Sequence, residues 1–296
     1  MWEQFTSFLL SNLIPASIML APVTPPVELP TLVDIDVQPL AVIADSEIAD
    51  PIVNARAALV IETHSNEALY TQNVWEPLPI ASLTKLMTAL VVVDHLDLST
   101  EVTVSLDAAQ TTGSSMGLRV GEIILVEDLL KGLLISSGND AAVALAEATS
   151  GTVEDFVVLM NERTGTLGLN DTRYFDPSGL NAGNTSSAFE VAHLAKQVFR
   201  NPFLSSVMRE REIIVSSVNG AYRHTLSNTN RLLGTDIADR IIAGKTGTTL
   251  QAGQCLISFI NGASDRTIMT IILGSSDRYG DVKNLIGWVD QSFSWE

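Results

Sequence analysis

Three short segments of this 296-residue chain carry residue types that can do covalent chemistry together. The first is Ser82-Leu83-Thr84-Lys85, where a hydroxyl precedes an amine by three residues. On a helix that spacing is close to one turn, so both side chains share a face. A serine hydroxyl is a weak nucleophile until a base stands within hydrogen-bond reach. A lysine can be that base once burial and nearby positive charge lower its pKa. The second segment is Ser137-Gly138-Asn139, with a hydroxyl for proton relay and an amide for holding a substrate backbone. The third is Lys245-Thr246-Gly247-Thr248-Thr249, in an apolar strand starting at Ile241. There Lys245 offers a cation for a carboxylate and for depressing the pKa of Lys85. Thr246 offers a hydroxyl, and Gly247 lets a backbone approach closely. Taken singly, each has an ordinary explanation: a helix start, an N-cap, and a strand-end lysine before a turn. Gly244 and Gly247 flanking a lysine inside a strand argue against packing alone. The chemistry requires all three segments to meet in one cleft.

Other reactive groups fit less well. Gly113-Ser114-Ser115-Met116-Gly117 matches G-x-S-x-G, but a nucleophile elbow needs a buried strand before it and a helix directly after. Here the context is a Ser/Gly loop, with no Asp and His pair evident downstream. The single cysteine, Cys255, lies in the strand-like run Gln254–Phe259 and reads as a small core residue. One cysteine forms no internal disulfide, so the redox compartment stays open. His64, His95, His193 and His224 are scattered, and none has a metal-ligand spacing. No metal site is expected.

Acidic residues outnumber basic ones 34 to 17, for a formal charge of −17. Such a chain is a poor partner for nucleic acid, which needs clustered Lys and Arg. Apolar residues make up 46% and charged ones 17%, enough for a sizeable core. Residues 1–27 read as an apolar signal or anchor segment, with no charge from Phe5 to Val27. Pro15 interrupts it, and Glu3 stands where a secretory signal carries a positive charge. Residues 28–52 read as a Pro/Asp-rich linker, the stretch Pro22–Pro51 holding six of the 11 prolines. The folded, catalytic part is expected over 53–296, with a helical insertion at about 97–205.

Within it, Ala57–Glu62 and Ala68–Tyr70 predict a hairpin about the turn His64-Ser65-Asn66. Pro77 and Pro79 stop any strand before Ser82, and Ser82–Leu96 is apolar nearly all round, as a buried helix is. Helices are expected at Val126–Ile135, Asn139–Thr149, Thr152–Leu167 and Ser187–Arg200, the last with Ser187 and Glu190 as a capping box. Strands return at Ile213–Val218, Ile241–Thr248, Gln254–Ile260 and Thr267–Leu273, before a helix from Asp281 to about Phe293. The sum is an α+β domain whose sheet comes from both chain ends, with a helical block between. There is no internal repeat.

In this order the motifs read S-x-x-K, S-x-N and K-T-G. The sequence resembles the D-alanyl-D-alanine carboxypeptidase family of low-molecular-mass penicillin-binding proteins. Pro79–Ala89, Leu133–Ala142, Asp176-Pro177-Ser178-Gly179-Leu180, Asn228-Thr229-Asn230 and Ala243–Thr249 all carry the likeness, which runs from about Val53 to Trp288. The resemblance implies the β-lactamase/penicillin-binding-protein-like transpeptidase fold, an antiparallel sheet flanked by helices with an inserted helical subdomain. It implies Ser82 as nucleophile toward the bond between the terminal D-alanines of a peptidoglycan stem peptide, with Lys85 as its base. Ser137 returns a proton to the leaving D-Ala, and Asn139 orients the peptide. Lys245 and Thr246 hold the carboxylate, with Gly247 beside them, and the amides of Ser82 and Thr248 form the oxyanion hole. No cofactor is implied, β-lactams would acylate Ser82, and the location implied is extracytoplasmic.

Departures from the family pattern bear on attachment and on one arginine. The chain ends at Trp295-Glu296 without the C-terminal β-domain and amphipathic helix of many members, so membrane attachment is expected through the N-terminal segment. The arginine that some members place before K-T-G has only an offset counterpart, Arg231, which is left as a carboxylate contact. Three alternatives stand beside the main reading. A D,D-endopeptidase would use the same residues. A β-lactamase would need a further deacylating carboxylate, and no E-x-x-x-N element stands out between Ser137 and Lys245. A β-lactam sensor would acylate once without turnover. The third residue of the stem peptide, the oligomeric state and the turnover rate are not written in the sequence.

Overall fold

The computed structural model describes residues 48–263 and 266–293. Five strands, β1 (Ala57–Glu62), β2 (Ala68–Gln72), β3 (Ile241–Thr249), β4 (Gly253–Asn261) and β5 (Thr267–Ser275), form one antiparallel sheet in the order β2-β1-β5-β4-β3. Two strands thus come from the start of the domain and three from its end, and β3 is an edge. Both faces are covered, and the two-residue period of a strand divides the side chains between them. Leu59, Ile61, Ile257, Phe259, Met269 and Ile271 face one core. Val60, Leu256, Ile260, Ile268 and Ile272 face the other, where they meet Val282, Leu285, Ile286 and Val289 of the last helix.

Helices α1 (Lys85–His95), α2 (Val126–Leu134), α3 (Asn139–Ser150), α4 (Val153–Leu167) and α5 (Ala188–Arg200) make the block between the sheet halves, and α6 (Arg278–Ser292) covers the far face. All eight residues from Lys85 to Val92 are buried, so α1 is the central helix of the molecule. Cap residues set the starts. Thr152 Oγ1 accepts from the Asp155 amide at 3.1 Å, and Ser187 Oγ from the Glu190 amide at 3.2 Å. The second half of the expected capping box does not form. The Glu190 carboxylate turns away to the Asp171 amide at 2.9 Å and the buried Thr172 hydroxyl at 2.5 Å.

Three further details differ from the sequence reading. The turn holding Ser82 is a 3₁₀ helix, Ala81–Thr84, and the α-helix begins at Lys85. Pro79 belongs to a two-residue strand, Leu78–Pro79, paired with Thr185–Ser186. The strand expected at Ile213–Val218 forms at Glu212–Ser216 and pairs with Arg223–Ser227 as a separate hairpin outside the main sheet. Among the described residues no helix is long and apolar enough to cross a membrane. The segment expected as a signal or anchor lies outside them.

Candidate active site

The three motifs converge where the start of α1, the start of α3 and edge strand β3 meet. Along β3, Ala243, Lys245 and Gly247 alternate onto the face toward the helical block. A Cβ on Gly247 would lie 2.9 Å from the Ser82 amide nitrogen and 3.0 Å from the Ile80 carbonyl oxygen. Only glycine lets the strand lie this close to the Ser82 backbone. A second glycine closes from the other side. Gly179 has φ +88°, and a Cβ there would stand 2.0 Å from the Ala81 carbonyl oxygen. Ala81 itself has φ 47° and Ser137 φ 60°, left-handed conformations that neither residue type favours. Each costs on the order of 1–2 kcal/mol; Ala81 adjoins Ser82 and Ser137 is itself a motif residue, where function can require such strain.

Lys85 is fully buried. Its Nζ donates to Ser82 Oγ at 2.9 Å, Asn139 Oδ1 at 2.8 Å and the Ser178 carbonyl at 2.5 Å. Lys245, equally enclosed, donates to Ser137 Oγ at 2.8 Å and the Thr246 carbonyl at 2.9 Å. The second motif therefore joins the other two: Asn139 holds the lysine of the first, and Ser137 the lysine of the third. Neither lysine has an ion pair among the described residues. Burial lowers Lys85 to about 7, while the more distant carboxylates of Asp176 and Asp140 pull it upward. Lys245 is pushed well below the ordinary lysine range, first by burial and then by the charges of Lys85 and Arg278. Two buried amines with no counterion cannot both keep a proton cheaply; the three bonds Lys85 donates are those of an ammonium, and loss of that proton leaves the lone pair that could accept from the Ser82 hydroxyl.

The other sequence-predicted residues fall around this pair. Asn139 is buried, with one amide N–H given to the Thr112 carbonyl at 2.7 Å. Thr246 shares a 2.6 Å hydroxyl–hydroxyl bond with Thr229. Thr248 is exposed, and its Oγ1 accepts from Arg278 Nη1 at 2.8 Å. Arg231, by contrast, points its side chain to solvent, and only its backbone amide approaches the network, 3.3 Å from Tyr279 Oη. The guanidinium that reaches β3 is that of Arg278, whose Nη1 also donates to the Gly247 carbonyl at 2.8 Å. The sequence carried a signal for it: a cation in the first turn of a helix opposes the macrodipole, so Arg278 stands where packing alone would not put it.

Two carboxylates that the sequence reading passed over brace the site. Asp176 Oδ1 accepts from the Ser178 and Gly179 amides at 2.6 and 2.7 Å, which shapes the loop carrying the Ser178 carbonyl to Lys85. Asp140 accepts from the amides of Met116, Gly117 and Leu118 at 2.9–3.1 Å and from Ser115 Oγ at 2.5 Å. The G-x-S-x-G match is therefore a loop tied to the start of α3, and its Ser114 carbonyl accepts from the Asn139 amide at 2.7 Å. Cys255 is buried, and burial raises its thiol to about 11, as suits a core residue. Among the described residues no cluster of three or more His, Cys, Asp or Glu side chains could hold a metal.

A family model described as D-alanyl-D-alanine carboxypeptidase matches residues 44–276. The chain belongs to this family. It is 36% identical over 228 residues to D-alanyl-D-alanine carboxypeptidase DacF of Bacillus subtilis (strain 168), covering 75% of this chain and 58% of that protein. It is 30% identical over 252 residues to a D-alanyl-D-alanine endopeptidase of Escherichia coli (strain K12), covering 83% of this chain and 81% of that protein. The crystal structure of a D-alanyl-D-alanine carboxypeptidase from Mycobacterium tuberculosis H37Rv superimposes with a TM-score of 0.77 at 25% identity, over 85% of this chain and 98% of that one. The fold is therefore that of the family: the antiparallel sheet flanked by helices that the sequence led us to expect. The chain spans 58% and 64% of the two curated carboxypeptidases DacF and DacC that it matches.

Proposed function

We propose that this chain is a serine-type D-Ala-D-Ala carboxypeptidase that removes the terminal D-Ala of peptidoglycan stem peptides through an acyl-enzyme on Ser82. The observation that carries the reading is Lys85 Nζ at 2.9 Å from Ser82 Oγ, buried and without a counterion. Neutral Lys85 takes the hydroxyl proton as Oγ attacks the carbonyl carbon of the penultimate D-Ala. The amides of Ser82 and Thr248 receive the developing oxyanion, and the close approach of Gly247 to the Ser82 nitrogen supports that pairing. As the C–N bond breaks, Ser137, held by Lys245, gives its hydroxyl proton to the departing amine and is reprotonated by the Lys85 ammonium, which returns Lys85 to its neutral form. Water then attacks the ester with Lys85 again as base, and no cofactor enters.

Lys245, Thr246 and Arg278 take the substrate carboxylate, with Thr248 as neighbour and Asn139 aligning the peptide. An arriving carboxylate raises the pKa of Lys245 and draws the proton there, which keeps Lys85 neutral at the moment it must act. A β-lactam acylates Ser82 by the same steps. The catalytic unit is assigned to residues 53–296, residues 28–52 to a linker, and residues 1–27 to a membrane attachment on the extracytoplasmic side. Extraction of the full chain from cell membranes by alkaline carbonate would overturn that attachment.

A second reading, D,D-endopeptidase, has its own support. This chain is 30% and 33% identical to two proteins named D-alanyl-D-alanine endopeptidase, and the same site residues would serve that cleavage. Incubation with a stem pentapeptide, a crosslinked dimer and a penicillin separates the outcomes: free D-Ala, cleaved crosslinks, hydrolysed penicillin or a stoichiometric adduct. D-Ala release that persists in Ser82→Ala would remove the assigned nucleophile.

A further inference from the structure

Tyr279 follows Arg278 in the first turn of α6, and its phenol lies where three segments meet. Tyr279 Oη donates to the Thr229 carbonyl at 3.0 Å. It accepts from Arg278 Nη2 at 3.2 Å and from the Arg231 amide at 3.3 Å. One donor and two acceptor positions are then filled, which is all that a phenolic oxygen offers. The Arg278 guanidinium also sits 4.9 Å from the centroid of the Tyr279 ring.

Thr229 is the other hub. Its amide donates to the Ile135 carbonyl at 3.1 Å, just ahead of Ser137, and its hydroxyl is bonded to Thr246. Arg278 reaches the end of β3 through Gly247 and Thr248. Both groups that would meet a carboxylate from this side, the Thr246 hydroxyl and the Arg278 guanidinium, are thus indexed to one phenol that lies outside the motifs.

We propose that Tyr279 is a positioning residue that sets the site's preference for a free C-terminal carboxylate. It acts by fixing the Arg278 guanidinium and, through Thr229, the Thr246 hydroxyl in one relative orientation. A phenylalanine keeps the ring but removes the oxygen, so Nη2 loses its partner and the guanidinium, still held at Nη1 by Gly247 and Thr248, is no longer fixed in its plane. Ordering such a side chain again on binding costs about 0.5–1.5 kcal/mol, a loss of roughly threefold to tenfold in affinity. That loss falls on substrates whose carboxylate uses Arg278 and Thr246. The nucleophile and its base, held by Asn139 and Ser178, are not touched.

The proposal rests on the carboxypeptidase reading, and the experiment separates the two. D-Ala release from an N-acyl-L-Lys-D-Ala-D-Ala peptide and D-alaninamide release from its C-terminal amide are measured with the full chain and with Tyr279→Phe. In Tyr279→Phe, KM for the acid is expected to rise about threefold to tenfold with kcat within twofold, while kcat/KM for the amide stays the same. Double-mutant cycles with Arg278→Lys and with Thr229→Val then show coupling, the second substitution adding little once the phenol is gone. An unchanged acid-to-amide preference in Tyr279→Phe overturns the proposal, as do equal losses on both substrates or full additivity in both cycles. Failure of the unaltered chain to release D-Ala from the acid overturns the carboxypeptidase reading instead.

Discussion

Protonation of Lys85 should control acylation across the neutral range. An ordinary lysine titrates at 10.5, and burial brings this one to about 7. That difference corresponds to about 5 kcal/mol of disfavour for the buried ammonium. If neutral Lys85 is the base, the second-order rate constant for acylation by a chromogenic penicillin falls about tenfold per pH unit below about pH 7 and levels off above it. Asp140 raises this pKa, so Asp140→Asn should move the acid limb to lower pH. Stability follows the same titration with a definite sign. The folded chain holds this proton less tightly than the unfolded chain does. The contribution of Lys85 therefore opposes folding fully below about pH 7, and that opposition is relieved as pH rises from there toward 10.5. Stopped-flow acylation from about pH 5 to 9, with urea unfolding at the same pH values, reads both effects. A rate that stays level between about pH 5 and 7 would refute Lys85 as the base, as would Lys85→Arg acylating at the unaltered rate, since arginine does not deprotonate there.

Three other perturbations follow from the geometry. Gly247→Ala puts a methyl group 2.9 Å from the Ser82 amide and must push β3 off the nucleophile, so acylation should slow by about 10²- to 10³-fold, the size of a lost oxyanion donor; a loss under about threefold in stopped-flow acylation would mean the amide is not used. Asp140→Ala leaves the buried amides of Met116 and Leu118 without their acceptor, while Gly117 keeps Ser115 Oγ, and should cost about 2–5 kcal/mol in urea unfolding; a cost under about 1 kcal/mol would show that the loop does not depend on this carboxylate. Cys255, buried and raised to about 11, should resist a thiol reagent at neutral pH until the chain unfolds, and prompt labelling of the folded protein would contradict its place in the core.

The strands of the main sheet were legible because each is a short apolar run bounded by turn residues, and both sides of the sheet are covered. The hairpin Glu212–Ser227 was only half legible. Ile213 and Val215 mark its first strand, but Arg223-His224-Thr225-Leu226-Ser227 alternates polar and apolar over too short a stretch, and the buried His224 hides its role. What holds His224 inside is Glu122, 2.7 Å away and 102 residues earlier, and no local pattern announces a partner at that separation. The capping box at Ser187 shows the same limit from the other side. The local motif was present, yet the Glu190 carboxylate went to a tertiary pair of donors, because leaving the buried Thr172 hydroxyl unmet would cost more than one helix-end bond returns.

At the site, the legible residues are those proposed to act on a reacting atom, because chemistry restricts their type: a hydroxyl, two amines and a glycine that admits a strand. The residues that tune them are less restricted, and so less visible. Lys85 illustrates the point. Its proposed base function depends on its pKa, and its pKa depends on how deeply α1 is enclosed, which the apolar sweep from Leu86 to Val92 does foretell. Its position depends on the Ser178 carbonyl, a backbone group with no sequence signature of its own. That carbonyl is aimed by Asp176, whose carboxylate gathers the Ser178 and Gly179 amides and at the same time pulls the Lys85 pKa upward. The loop that places Lys85 therefore also opposes its neutral form. Burial outweighs that opposition here because Asp176 spends its oxygens on backbone amides, not on the lysine, and a direct ion pair between the two would return Lys85 to an ordinary, protonated cation.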